Sequence, residues 1–199
     1  MPEYGFTEAH EMFRREVRNF AQRELAPIVG ELAKMDTIPL EVRKKLGGAG
    51  LLGVNIPEEY GGQPADWTSV GIAVEELTKV EQYSWILLGV NSTVLHPTLQ
   101  LGAPKELAQE WLTPCVKGDK VSCICVTEPE CGSDAVAMKT RATKDGDYYI
   151  INGEKTSVTL GMQADCAVAF VTMDPALKGK GICCFLIPLD LPGINRSMF

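Results

Sequence analysis

Along the first 120 residues, apolar positions recur every three or four places, the spacing that gathers them on one face of an α-helix. Thr7 is a candidate cap for a first helix whose stripe runs through Phe13, Val17, Phe20, Leu25 and Ile28. Pro39 opens a second, short helix through Val42, Leu46 and Ala49, in a stretch broken by Gly47, Gly48 and Gly50. Residues 55–64 are rich in Pro and Gly and read as a loop. Asp66 caps a third helix to about Val80, with Val70, Ala73, Val74 and Leu77 inward. A helix over 84–101 follows, and Trp85–Val90 has almost no polar face, which predicts the most buried helix of the set. The last helix is predicted from Pro104 to Val116, with proline at its first position.

Beyond residue 120 the period shortens to that of strands. Apolar or β-branched runs at 121–127, 138–143, 148–151, 155–159, 166–172 and 182–188 predict five or six strands. Asp145–Gly146 marks a hairpin turn, and Asn152–Gly153 marks another. The chain therefore reads as α+β: an all-helical amino-terminal domain over 1–118, then a β-domain over 119–199 that looks incomplete, ending with no closing element.

Composition narrows the class. With 45% hydrophobic and 23% charged residues, the sequence is that of a folded protein rather than a disordered one. Its longest apolar runs are six residues, against the ~20 that a bilayer span needs, so no membrane partner is expected. Seven cysteines, an odd number with no C-x-x-C, read as reduced, mostly buried thiols, and with no secretory signal they point to the cytoplasm. A net charge of −7 disfavours nucleic acid, which needs a basic face. Neither Gly-rich nucleotide fingerprint occurs, nor a G-x-S-x-G elbow, nor a cluster with metal-ligand spacing. His10 reads as an exposed first-turn residue and His96 as a packed core histidine, while Glu58, Glu59, Glu75 and Glu76 read as surface charges.

Two segments carry candidate chemistry. In Cys123-Ile-Cys-Val-Thr-Glu-Pro-Glu-Cys-Gly-Ser-Asp134 a strand runs into a loop that can turn backbone N–H groups and hydroxyls toward one ligand. Taken alone it is as readily a structural turn. In Ile151-Asn-Gly-Glu-Lys-Thr-Ser-Val-Thr159 the residues alone read as a hairpin with a solvent-facing Lys155. Together, with Glu-Leu-Ala-Pro27, Gly50-Leu-Leu-Gly-Val-Asn-Ile-Pro-Glu-Glu-Tyr-Gly-Gly62, Leu101-Gly-Ala-Pro-Lys-Glu-Leu107 and Pro188…Pro-Gly193, their order and spacing resemble the acyl-CoA dehydrogenase family over the whole chain.

That resemblance implies a helical domain, a β-barrel-like middle domain and a carboxy-terminal helical bundle that this chain lacks. It implies FAD as cofactor and an acyl-CoA substrate oxidised at Cα–Cβ to the 2-enoyl-CoA, in fatty acid metabolism. It also implies an electron-transfer flavoprotein as acceptor, and a homotetramer. By motif, Ile124, Cys125, Val126, Thr127, Gly132 and Ser133 bind the cofactor, with Ser133 also at the CoA ligand, and Ser157, Val158 and Thr159 form the flavin's other wall. A catalytic glutamate is expected in the missing half, so no catalytic residue is assigned and the chain by itself is expected to be inactive. Two departures stand out. Ser157 replaces the family's usual tryptophan, which opens space for a cyclic or branched acyl group, and Glu130–Cys131 replaces a small pair in the first loop. An acyl-CoA oxidase or flavin monooxygenase on the same fold, and a non-catalytic binding or scaffold fragment, remain alternatives.

Overall fold

The computed structural model describes residues 5–198 and divides into two compact units, Met1–Lys120 and Val121–Phe199. In the first unit, α1 (Glu8–Phe20) starts where Thr7 accepts a hydrogen bond from the His10 N–H, while the Thr7 N–H donates back to His10 Nδ1. Nε2 of the same ring meets Asp66 Oδ2 at 3.0 Å, and Asp66 caps α4 (Trp67–Thr78) through the Ser69 N–H. His10 is therefore not a free surface residue; it joins the starts of two helices.

Between those helices the chain forms a π-turn (Ala21–Leu25), a 3-10 turn (Ala26–Ile28), the short α2 (Val29–Leu32) and α3 (Leu40–Gly48). The helices α5 (Ser84–Val90) and α6 (His96–Gln100) are one run, joined by a π-turn over Asn91–Leu95 in which the His96 N–H donates to the Asn91 carbonyl. Pro97 cannot donate inside this run, and the widened turn before it accommodates the missing bond. The last helix, α7 (Lys105–Val116), has Pro104 just before its first turn rather than within it. The core is aliphatic: Leu25, Leu46, Leu52, Ile56, Leu77, Leu88, Leu95 and Leu112 are all essentially inaccessible. The α5 segment is less uniformly buried than its composition predicts, since Trp85, Ile86 and Gly89 are only half-buried.

Glu76 corrects the surface-charge reading more sharply. It is 1% exposed on α4 and takes hydrogen bonds from Arg14 and Arg18 of α1 and from Lys79. Glu75, half-exposed beside it, pairs with Arg14 and Lys79.

The second unit is a mixed five-stranded sheet: β1 (Ser122–Cys125), β2 (Arg141–Asp145), β3 (Tyr148–Asn152), β4 (Cys166–Thr172) and β5 (Ile182–Pro188). Central β4 is parallel to β1 and antiparallel to β5, and meets β2 where Arg141 faces Thr172. The β2–β3 hairpin turns over Gly146–Asp147, with Asp145 opposite Tyr148. Three predicted strands change, and the first, predicted over 121–127, covers only Ser122–Cys125. β2 begins at Arg141 rather than Met138, because the N–H groups of Lys139 and Thr140 go to the Glu128 carboxylate. Residues 155–159 form no strand, because Ser157 sits in the left-handed region at φ +54° and breaks the extended run. All seven cysteines are free thiols; four are buried, and only Cys184 is exposed. Among the described residues no helix is long and apolar enough to cross a membrane, and no side-chain cluster could hold a metal ion.

Candidate functional site

The candidate site forms where β1 ends. Past Cys125 the backbone leaves the ladder with β4, and the 155–157 segment comes alongside it: the Thr156 N–H donates to the Thr127 carbonyl at 2.9 Å. The Lys155 ammonium reaches across to the Val126 carbonyl at 2.9 Å and to Glu128 Oε1 at 2.8 Å. Sequence spacing suggested a solvent-facing Lys155, but its side chain is 11% exposed and its Glu128 partner 5%. The lysine thus fastens the two motif segments together.

Glu128 is the hub of this arrangement. Oε1 accepts from Lys155 and the Thr140 N–H, and Oε2 from the Lys139 N–H, while its own N–H and carbonyl bond Cys131 across a tight turn. Burial pushes this carboxyl upward, but the Lys155 ammonium and the donors from Thr140 and Lys139 outweigh it and hold its pKa at about 2. Its oxygens are already committed and its basicity is low, so Glu128 orders the site and does not accept a proton in turnover. Gly153 permits the approach. Its φ is +149°, and a Cβ there would lie 2.5 Å from Thr140 Oγ1, so no side chain fits where the chain leaves β3.

The structure brings the segment holding Val126 and Thr127 against the segment that leads into Ser157. Ile124 and Cys125 close β1, with Val126 and Thr127 directly after, all four half-buried. Thr127 commits its carbonyl to Thr156, while its N–H and hydroxyl make no hydrogen bond to any described residue. Ser157 and Thr159 are exposed and Val158 is half-buried. Behind them, Arg196 gathers the carbonyls of Gly161, Met162 and Ala164 and pins the turn that follows Thr159. Gly132 and Ser133 are exposed beyond the Glu128–Cys131 bridge, and no hydrogen bond among the described residues joins them to either segment. In that loop Glu130 faces solvent and pairs with Lys139, while Cys131 packs inward. A hydrogen bond with Cys125 and its own burial push the Cys123 thiol up, so it stays protonated.

Sequence reasoning missed Glu128 and Lys155 as a pair. Each lay inside a motif already singled out, but nothing in linear spacing says that two residues of opposite charge meet across a fold. What remains available at the site is a set of donors, the Thr127 N–H and hydroxyl, beside a small exposed hydroxyl at Ser157. Such a set suits a flat, carbonyl-rich and nitrogen-rich ring, and so fits a flavin.

Comparison with known proteins agrees in both units. The profile for the acyl-CoA dehydrogenase N-terminal domain matches residues 7–119, and that for the acyl-CoA dehydrogenase middle domain matches 123–198. The human mitochondrial short-chain specific acyl-CoA dehydrogenase is 40% identical over 94% of this chain and 46% of its own length. An acyl-CoA dehydrogenase from Geobacillus kaustophilus superposes with a TM-score of 0.87 at 36% identity, over 94% of this chain and 50% of that one. A glutaryl-CoA dehydrogenase from Mycobacterium smegmatis, solved in complex with FADH2, gives 0.86 at 31% identity, over 94% and 47%. The chain spans about half the length of the curated relatives it matches.

Proposed function

Because this chain belongs to the acyl-CoA dehydrogenase family, we propose that it supplies the flavin-facing half of an FAD-dependent enzyme that oxidises an acyl-CoA thioester at Cα–Cβ to the 2-enoyl-CoA. One structural observation carries the reading: the Thr156–Thr127 hydrogen bond and the Lys155 bridge hold the segments at Thr127 and Ser157–Thr159 side by side, with the Thr127 donors free.

FAD, when bound, supplies the acceptor for the β-hydrogen. The chain's own residues bind and orient. In this reading the Thr127 N–H and hydroxyl donate to the ring, where pre-aimed donors stabilise charge as it develops. Ser157, Val158 and Thr159 form the other wall, and the exposed Gly132–Ser133 loop meets the CoA or cofactor phosphates. The base that removes the α-proton is none of the acids described above. Glu128 and Glu76 are both ion-paired and held at about 2, which makes them poor proton acceptors at neutral pH. The match to short-chain specific relatives supports a short acyl group, and the small Ser157 supports room for branching or a ring beside the flavin. An electron-transfer flavoprotein as acceptor, a homo-oligomer and a cytoplasmic setting complete the proposal; family membership and seven free thiols support it.

The test is anaerobic addition of a short acyl-CoA to the FAD-loaded full-length enzyme that carries this chain. Bleaching of the yellow absorption, reversed by an electron-transfer flavoprotein and only slowly by oxygen, is the expected result. Rapid reoxidation by oxygen instead identifies an oxidase, and absence of bleaching by straight, branched and cyclic acyl-CoA alike overturns the dehydrogenase reading.

A further inference from the structure

The carbonyl that Lys155 grips and the N–H that Thr127 leaves free belong to the same peptide group. Val126 contributes the C=O, 2.9 Å from the ammonium, and Thr127 contributes the N–H on the opposite side. A cation drawing on a carbonyl oxygen shifts density away from the amide nitrogen and makes its proton a stronger donor, as in any hydrogen-bonded chain of low local dielectric. Here the cation is 11% exposed, so water screens it little. Glu128, 2.8 Å from the same ammonium and itself held by the Lys139 and Thr140 N–H groups, offsets part of that charge and fixes its position.

We propose that Lys155 polarises the Val126–Thr127 peptide, with Glu128 as attenuator, and thereby sets how much more tightly this segment holds a reduced, negatively charged flavin than an oxidised one. The inference rests on the reading that Thr127 faces the flavin. Lys155 and Glu128 act through the peptide and are positioning residues. Their opposite charges give the device a signature that simple loosening of the fold lacks: removing the lysine weakens the preference for reduced flavin, and removing the carboxylate strengthens it.

The experiment uses the full-length enzyme that carries this chain. Amide NMR follows the Thr127 N–H while oxidised FAD, or FAD kept reduced with dithionite, is titrated into wild type, Lys155→Met, Lys155→Arg and Glu128→Gln. In Lys155→Met the Thr127 amide proton is expected to move upfield before any flavin is added. Its ratio of reduced to oxidised affinity should fall about tenfold, the scale of one charge-assisted hydrogen bond, equivalent to ~30 mV for a two-electron couple. Lys155→Arg should restore most of the ratio, and Glu128→Gln should raise it. Should Lys155→Met lose its dispersed amide spectrum, the contrast between Lys155→Arg and Glu128→Gln still decides. Shifts of the same sign in the lysine and glutamine variants overturn the polarisation. A full-length wild type whose Thr127 amide is unmoved by either form of FAD overturns the flavin reading itself, and the proposal with it; the upfield shift in flavin-free Lys155→Met tells that failure apart.

Discussion

What a charged residue does in this chain is set by how many donors surround it. Glu128 and Glu130 are two positions apart, yet one is enclosed by three donors and the other sits in solvent paired with Lys139. A sequence cannot distinguish them, because the donors come from residues 139, 140 and 155. The two motif segments were legible, and Thr156 does bond Thr127, but the Lys155–Glu128 bridge between the segments was not. Ser157 carries its own prediction. Its left-handed φ makes it a strained position, and strain of this kind concentrates at functional sites. A Trp at this position buries ~150–250 Å² against its surroundings and refills the open wall, at some risk of overpacking. In the full-length enzyme, Ser157→Trp is therefore expected to lower kcat/KM for a cyclic acyl-CoA relative to a linear one, with FAD retained. An unchanged ratio between the two substrates shows that Ser157 does not border the acyl group.

At the scale of elements, α1 and α4 are joined by charge as much as by apolar packing. Hydrogen bonds from Arg18, Lys79 and Arg14 outweigh burial and hold the Glu76 carboxyl at about 2, against an ordinary value of 4.5. The unfolded chain therefore takes up the proton first as acid is added. The stability that this group contributes is complete above pH 4.5 and is lost as the pH falls toward 2. Glu76→Gln should lower stability at neutral pH by about 1 kcal/mol, since Arg14 keeps Glu75 and the half-exposed Arg18 and Lys79 are screened by water, and should flatten that acid limb. Denaturant unfolding across the same pH range checks both. A variant with an undiminished acid limb places the titration elsewhere. Helices and strands with a clean period were legible: Cys166–Thr172 and Ile182–Pro188 lie as predicted, and Asp66 caps α4. The failures came where a side chain outbid the ladder. Glu128 takes the N–H groups that would have begun β2 early, and a left-handed Ser157 ends an extension that β-branched residues on either side favour.

Across the whole chain, the change of hydrophobic period near residue 120 foretold a helical part followed by a β part, and each unit encloses its own core. The labour is uneven. The residues assigned to the flavin all lie in the β unit, at the end of β1 and on segments that leave the sheet, while the helical unit offers a packed scaffold with aliphatic interior and ion-paired surface. The central claim is that the flavin ring rests on Thr127, and the reduction potential of bound FAD in Thr127→Val tests it most directly. Valine keeps the shape of threonine and removes its hydroxyl donor. Loss of one hydrogen bond, worth roughly 0.5–1.5 kcal/mol, translates to a potential lower by about 10–30 mV for a two-electron couple. The account predicts that fall, with FAD still bound. A potential identical to that of the wild type, at full FAD occupancy, contradicts it.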